Sequence, residues 1–189
     1  LYQQIREIKD IMLQRPIIPF LPLDPRRAGI ANPRENLYDL FIHAFTDPVT
    51  PFFGVKCYPG LGYFPHDLRL DPVFEICAEK NIPVTTHCGG EIVSTFGKEI
   101  ELHEHGGITK FPIPGETRAE RARYLNDPGL WIPVLNKHRG LKLNFGHFGG
   151  DTSWEDQSRT GNNERISRLI HMMQNPDWRV FADFSFNIV

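Results

Sequence analysis

The chain contains 189 residues, of which 40% are hydrophobic and 23% are charged, and its formal net charge at pH 7 is -2. This length suits one well-buried core, and the composition is that of an ordinary globular protein. Because Lys and Arg are spread along the chain and balanced by acids, we expect neither nucleic acid nor a membrane as a partner.

Helical and strand-like patterns alternate along the first half of the chain. We predict helices over residues 1–14, 32–45 and 71–81, and strands over residues 17–23, 51–59 and 83–87. Asn32 and Pro33 have the residue types of a helix cap and a first helical position. In the third helix, Val73, Ile76 and Cys77 are expected to face inward.

The second half of the chain opens with a long insertion over residues 89–140. Within it, residues 91–109 show no clear period, whereas residues 117–126 and 128–138 predict two short helices. A strand over residues 141–145 follows, and then a polar stretch, residues 151–163, that is typical of a loop. The last elements are a helix over residues 166–174 and a strand over residues 180–184.

Five strands separated by helices, with no pair that predicts a hairpin, indicate an α/β fold with a parallel sheet. Five units suit either a doubly wound domain or most of a TIM-barrel-like (β/α)8 fold. The chain opens inside a helical pattern at Leu1 and stops just after a strand. We therefore expect one barrel domain over residues 1–189, truncated at both ends and holding about strands three to seven.

Two histidines follow strand-like runs and precede paired glycines. His87 ends the run from Ile82 and is followed by Cys88 and two glycines, and His147 follows Phe145 and Gly146. In parallel α/β folds the carboxyl ends of the strands carry the ligands and the chemistry. Imidazole nitrogen is a common metal ligand, so both histidines are candidate ligands, with His147 also a candidate catalytic group. The alternative for each is a hydrogen-bonded core histidine.

Other residues near strand ends are weaker candidates. Lys56 and Arg26 are candidate contacts for an anionic substrate, and Asp183 is a candidate for holding a metal-binding side chain in place or for capping the next helix. His103 and His105 have His-x-His spacing, but no long apolar strand leads to them, which predicts a solvated loop or a lid. The three cysteines lack CxxC spacing, which favours a reduced, cytoplasmic protein.

Five segments occur in an order that resembles the middle of the amidohydrolase superfamily barrel, in its amidohydrolase-2 (decarboxylase-like) branch. They are residues 22–26, 54–58, 83–87, 145–150 and 180–185. The resemblance implies that His87 is the metal ligand ending strand five. It implies that His147 is the strand-six histidine that binds a second metal or activates water. Lys56 matches the strand-four position, where some members carry a carbamylated lysine.

The resemblance also implies ligands that these residues do not include. The family's His-x-His pair of strand one and the aspartate of strand eight have no counterpart at the corresponding places of this sequence. Catalytic zinc normally has three protein ligands. We therefore expect this piece alone to be poorly active.

The predicted function is that of a metal-dependent hydrolase, with zinc the expected metal. It would act through an activated water on an amide, ester or lactone of a small carboxylic acid. A non-oxidative decarboxylase of an aromatic or unsaturated acid is the alternative on the same barrel. A non-catalytic α/β binding or assembly module, with both histidines as core residues, is the alternative of another class. A homo-oligomer is a further open expectation.

Overall fold

A computed structural model describes residues 1–89 and 94–185 of the chain. Its centre is a parallel sheet of five strands, which are β1 (Phe20–Leu23), β2 (Gly54–Cys57), β3 (Val84–His87), β6 (Lys142–Gly146) and β7 (Arg179–Ala182). Between β3 and β6, the strands β4 (Glu99–Glu104) and β5 (Gly107–Pro112) form a separate antiparallel hairpin. The helices are α1 (Tyr2–Met12), α2 (Leu37–Phe45), α3 (Asp71–Lys80), α4 (Arg118–Leu125), α5 (Ile132–Lys137), α6 (Asp151–Thr160) and α7 (Glu164–Gln174).

The strand order confirms the predicted parallel α/β fold and favours the barrel. The order is β1-β2-β3-β6-β7, so each crossover advances to the next position and the direction never reverses. A doubly wound sheet reverses its order at a switch point, whereas a (β/α)8 barrel does not. The described residues therefore form five successive strands of a barrel-type fold. None of their helices has both the length and the apolar character that a bilayer crossing needs.

Parallel strands are connected by right-handed crossovers, so a sheet whose strand order never reverses has all its connecting helices on one face. The burial pattern shows which face this is. Leu21, Val55, Val84 and Leu143 lie in register on the sheet and are each 0% exposed. They pack with apolar residues of α1, α2, α3, α5 and α7 in one core. Burying a side chain of this size contributes roughly 1.5–3 kcal/mol.

The opposite face, which we call the open face, carries no such layer among the described residues. One register row on it contains Pro22, Lys56, Thr85, Asn144 and Phe181. The middle three residues are half-buried, and the outer two are exposed. Polar side chains therefore occupy the centre of this row.

The prediction for α2 was wrong by about one turn. Asn32 begins only a single turn, in which it accepts a hydrogen bond from the N–H of Arg34. The helix begins at Leu37 because Asn36 is its cap, with Oδ1 accepting from the N–H groups of Tyr38 and Asp39. The Nδ2 group of Asn36 also donates to two carbonyls of the preceding loop, which fixes this position of the cap.

Other boundaries and one buried face also differ from the predictions. The first strand is shorter, beginning at Phe20, and the last strand ends at Ala182. In α3, Val73 and Cys77 are buried as predicted, but Ile76 is 38% exposed. The prediction for Ile76 was therefore wrong, because the contact face of this helix is narrower than its apolar stripe.

The prediction that residues 91–109 lack regular structure, with no hairpin in the chain, was wrong where the structure describes them. In β4 the buried residues are Ile100 and Leu102, which alternate with exposed acids. They form a small second core with Phe64, Ile113 and Leu125. Residues 90–93 of this segment lie outside the described residues.

The predicted polar loop over residues 151–163 is largely the helix α6. This helix buries none of its residues, so no apolar period marks it in the sequence. Trp154 anchors it, with Nε1 donating to the carbonyl of Phe148 at 2.7 Å. Gly161 ends the helix in a left-handed conformation, with φ of 71°.

Candidate functional site

The two predicted histidines meet at the carboxyl edge of the sheet. His87 is the last residue of β3, and it pairs in register with Gly146, the last residue of β6. His147 follows at once, and its Nε2 lies 3.1 Å from Nδ1 of His87. We call these two side chains the histidine pair. Parallel strands in register bring together two residues that lie 60 positions apart in the chain.

An unusual backbone turn directs His147 towards His87. His147 and Phe148 have φ values of 65° and 44°, and Gly149 and Gly150 continue with 87° each. Positive φ is uncommon for non-glycine residues and is found at functional sites. The turn interrupts the alternation of β6, so His147 does not join Leu143 and Phe145 in the core.

Gly89 leaves the space in which this turn lies. A Cβ at Gly89 would stand 2.9 Å from the backbone of Gly150 and 3.2 Å from Cβ of His147. The backbones after β3 and β6 therefore touch directly, which only a residue without a side chain allows. This close approach explains one of the glycines that follow His87.

A hydrogen bond at Nδ1 sets the tautomer of His147. Nδ1 lies 2.9 Å from the carbonyl oxygen of Ser185, which can only accept a proton. The Ser185 hydroxyl oxygen also lies 3.1 Å from Nδ1 of His147. Because this hydroxyl donates its own proton to Asp183, Nδ1 of His147 is the donor in both contacts with Ser185. Nε2 of His147 then presents a lone pair towards His87.

Asp183 holds this arrangement together. One oxygen accepts the backbone N–H groups of His147 and Ser185, each at 3.1 Å, together with the Ser185 hydroxyl. The other oxygen accepts from Nδ2 of Asn144 at 2.8 Å. Burial raises the pKa of Asp183, but these hydrogen bonds together lower it to about 2. Asp183 thus contacts His147 through the backbone N–H of that residue and through Ser185, and its roles as a supporting residue of a metal site or as a helix cap stay predictions.

Tyr58 completes the surroundings of His87 and was missed from the sequence. Its ring stacks on the His87 ring with centroids 4.1 Å apart and an angle of 13° between the planes. Tyr58 directly follows β2, so it belongs to the same edge of the sheet as His87. The sequence contained a signal for Tyr58. Lys56 pairs with Thr85 in the sheet, and Tyr58 lies two residues after Lys56, just as His87 lies two residues after Thr85.

The two cationic candidates have different surroundings. Lys56 lies on the open face, and its Nζ is 3.4 Å from the position that a Cβ would occupy on Gly146. Arg26 forms a bidentate ion pair with Asp24 and donates to the carbonyl of Leu61. The guanidinium of Arg26 therefore fixes the loop after β1, and no described contact connects it to the histidine pair.

The His-x-His pair in the insertion lies in the hairpin, which corrects the prediction of a loop for His103, while the alternative of a lid stays a prediction. His103 is part of β4 and pairs with Ile108, while His105 lies in the turn that follows. His105 lines a cavity of about 220 Å³ with His66 and His138. No contact joins His103 or His105 to the histidine pair among the residues that the structure describes.

Cys88 is not a nucleophile in this arrangement. The thiol is fully buried, and burial raises its pKa to about 11, so it remains protonated near neutrality. Cys88 therefore lies in the hydrophobic core directly after His87 and supplies no thiolate at this edge of the sheet.

The histidine pair is compatible with two ligands of one metal ion. A tetrahedral zinc ion with bonds of about 2.0–2.1 Å separates two nitrogen ligands by roughly 3.3–3.4 Å. The distance of 3.1 Å between Nδ1 and Nε2 is close to that value. Within residues 1–89 and 94–185, no group of three His, Cys, Asp or Glu side chains has metal-binding geometry. The described residues therefore provide a pair of ligands rather than a full set.

Comparisons with known proteins add the following. No family model matches the sequence, and none of the curated proteins matches it. Among solved structures, an uncharacterized TIM-barrel protein from Bordetella bronchiseptica is similar with a TM-score of 0.45 and 16% identity, over 97% of this chain. The match spans 59% of the length of that protein. The class of protein rests on the strand order and the site geometry, which define a barrel-type parallel α/β protein with a histidine pair at the carboxyl edge of its sheet.

Proposed function

We propose that the protein is a metal-dependent hydrolase of the amidohydrolase type, acting on an amide, ester or lactone of a small carboxylic acid. The observation that carries the proposal is the histidine pair, with two ring nitrogens 3.1 Å apart at the carboxyl edge of a parallel sheet. Core histidines that only stabilise a fold do not need a left-handed backbone. Here His147 adopts one, with φ of 65°, and reaches His87 through it.

The residues of the pair would hold a divalent metal, with zinc best suited to nitrogen ligands. When bound, such an ion polarises a carbonyl and lowers the pKa of water. Ser185 and Asp183 keep His147 in the tautomer whose Nε2 has a lone pair. Nδ1 of His87 then carries the proton shared between the rings, so the two rings form a hydrogen bond in this structure. For both nitrogens to hold a cation, His87 would take its other tautomer, with the proton on Nε2.

Zinc titration of purified variants tests the proposal. The wild-type protein is expected to bind zinc, whereas His87→Ala and His147→Ala each weaken the binding. Mutating a residue that only holds a metal ligand in place typically lowers metal affinity about 10–100-fold, so the loss of a ligand itself should lower it by at least as much. His171→Ala is the matched control, because His171 is exposed on α7.

The outcomes separate the rival functions. Wild-type protein that binds no zinc, or His87→Ala protein that binds it unchanged, would contradict the proposal and favour a non-catalytic module. In a form of the protein that supplies the remaining metal ligands, a panel of amides, esters and lactones is expected to yield free acids when zinc is bound. Release of carbon dioxide from aromatic or unsaturated acids would instead identify non-oxidative decarboxylation.

A further inference from the structure

The Lys56 ammonium lies beside the histidine pair. Two residues beyond the row of Lys56, Thr85 and Asn144, the same face carries Tyr58, His87, Gly146 and Asp183. Gly146 has no side chain and leaves a gap in this upper row. Nζ of Lys56 extends into this gap, to 3.4 Å from the position of a Gly146 Cβ, and Oδ2 of Asp183 lies 3.7 Å from the same position. The ammonium is therefore at the level of the histidines, although its backbone lies one row below.

The positive charge of Lys56 is incompletely balanced. Among residues 1–89 and 94–185, no carboxylate lies within 4.0 Å of Nζ. Asp183 interacts with Lys56 electrostatically, but both of its oxygens accept hydrogen bonds from other groups. Burial lowers the pKa of Lys56, and Asp183 opposes this shift. A half-buried ammonium without an ion pair favours an anionic ligand.

We infer that Lys56 binds a carboxylate of the substrate next to the histidine pair. This inference rests on the proposed function and narrows its substrate class. The substrate would be an amide, ester or lactone that also carries a free carboxylate, held by Lys56 while the other group faces the histidines. Arg26, the other cation considered at this edge, uses its donors on Asp24 and Leu61.

Binding of benzoate in the presence of EDTA tests the inference without any metal. Benzoate is expected to bind the wild-type protein, and benzamide, which lacks the charge, to bind at least tenfold more weakly. Hydrogen bonds to charged groups are worth roughly 10–100-fold in affinity. Lys56→Met is therefore expected to raise the Kd for benzoate at least tenfold. Lys142→Met is the matched control, because Lys142 is half-buried at the other end of β6.

A footprint on the wild-type protein avoids dependence on a folded variant. Benzoate is expected to slow reductive methylation of Lys56 severalfold, with no change at Lys142, as measured by mass spectrometry of peptides. Equal protection of both lysines, no benzoate binding, equal binding of benzamide or an unchanged Kd in Lys56→Met would each overturn the inference.

The two proposals fail separately. If benzoate binding requires Lys56 but the protein binds no zinc, the anion site is supported and the proposed hydrolase function is contradicted. If zinc binding requires His87 but benzoate binding does not depend on Lys56, the proposed hydrolase function is supported and the role of Lys56 is contradicted.

Discussion

Replacing Asp183 with Asn tests whether its charge stabilises the turn of His147. The side chain accepts hydrogen bonds from the backbone of His147 and Ser185, the Ser185 hydroxyl and the Asn144 amide. Its pKa is lowered from 3.8 to about 2. At 1.36 kcal/mol per pKa unit this shift corresponds to about 2.4 kcal/mol, which we reduce to about 1 kcal/mol because solvent screens a partly exposed group. An amide would also turn a donor towards existing donors, so about 1 kcal/mol is a lower bound.

The pH dependence follows from the direction of this shift. A carboxylate with a lowered folded-state pKa contributes its stability fully above the unfolded pKa near 3.8 and loses it as the pH falls towards about 2. The difference in unfolding free energy between wild type and Asp183→Asn should therefore be constant from pH 7 to about 5. It should fall to roughly half by pH 3.

Urea unfolding at pH 7, 5 and 3 measures this difference, with Asp10→Asn as the control for an exposed aspartate of α1. An Asp183→Asn protein no less stable than the control, or a difference unaffected by pH, would refute the reasoning. The same variant is expected to bind zinc about 10–100-fold more weakly, because Asp183 positions His147. Zinc binding unchanged by the substitution would show that the turn holds without the carboxylate.

Three further substitutions test other parts of the structure. Gly89→Ala places a Cβ 2.9 Å from the backbone of Gly150 and should lower the free energy of unfolding, measured with urea, by about 1–3 kcal/mol. Gly106→Ala, where a Cβ meets no other atom, should leave this free energy nearly unchanged. Equal effects of these two would contradict the close approach. Asn36→Ala removes the cap of α2 and should lower the free energy of unfolding by about 1–2 kcal/mol. An unchanged midpoint of urea unfolding would mean that the cap is dispensable. Leu143→Ala, in the sheet core, should cost about 2–5 kcal/mol, and a loss below 1 kcal/mol would argue against the described packing.

The sheet could be predicted from the sequence because its strands are short apolar runs separated by clear helical patterns. The meeting of His87 and His147 followed from the same regularity, since parallel strands end at one edge. The same rule places Tyr58 at this edge, but its stacking on His87 depends on the register between β2 and β3, which the sequence leaves open. The sequence also does not predict the turn at His147, since this turn depends on space that Gly89 leaves in the segment after β3.

The missed elements have different physical causes. The hairpin had a sequence signal, because Ile100 and Leu102 alternate with charged residues and paired glycines follow. That alternation was too short to stand out from a polar segment. The helix α6 had no such signal, since it buries no residue and is fixed by Trp154 and local hydrogen bonds. Elements without a buried face leave no periodic trace in the sequence.

The polar row of the open face bears on the proposed function as well. Barrel interiors are usually filled by bulky branched residues in layers. Here Lys56, Thr85 and Asn144 occupy one row, and the row above it has a gap at Gly146 next to the histidine pair. Apolar residues in the same places would pack more tightly and would not leave a half-buried charge. This row lies directly beneath the two histidines and packs less tightly than apolar residues would. It is therefore better suited to binding a polar ligand than to stabilising the fold, which supports the binding of a substrate carboxylate by Lys56.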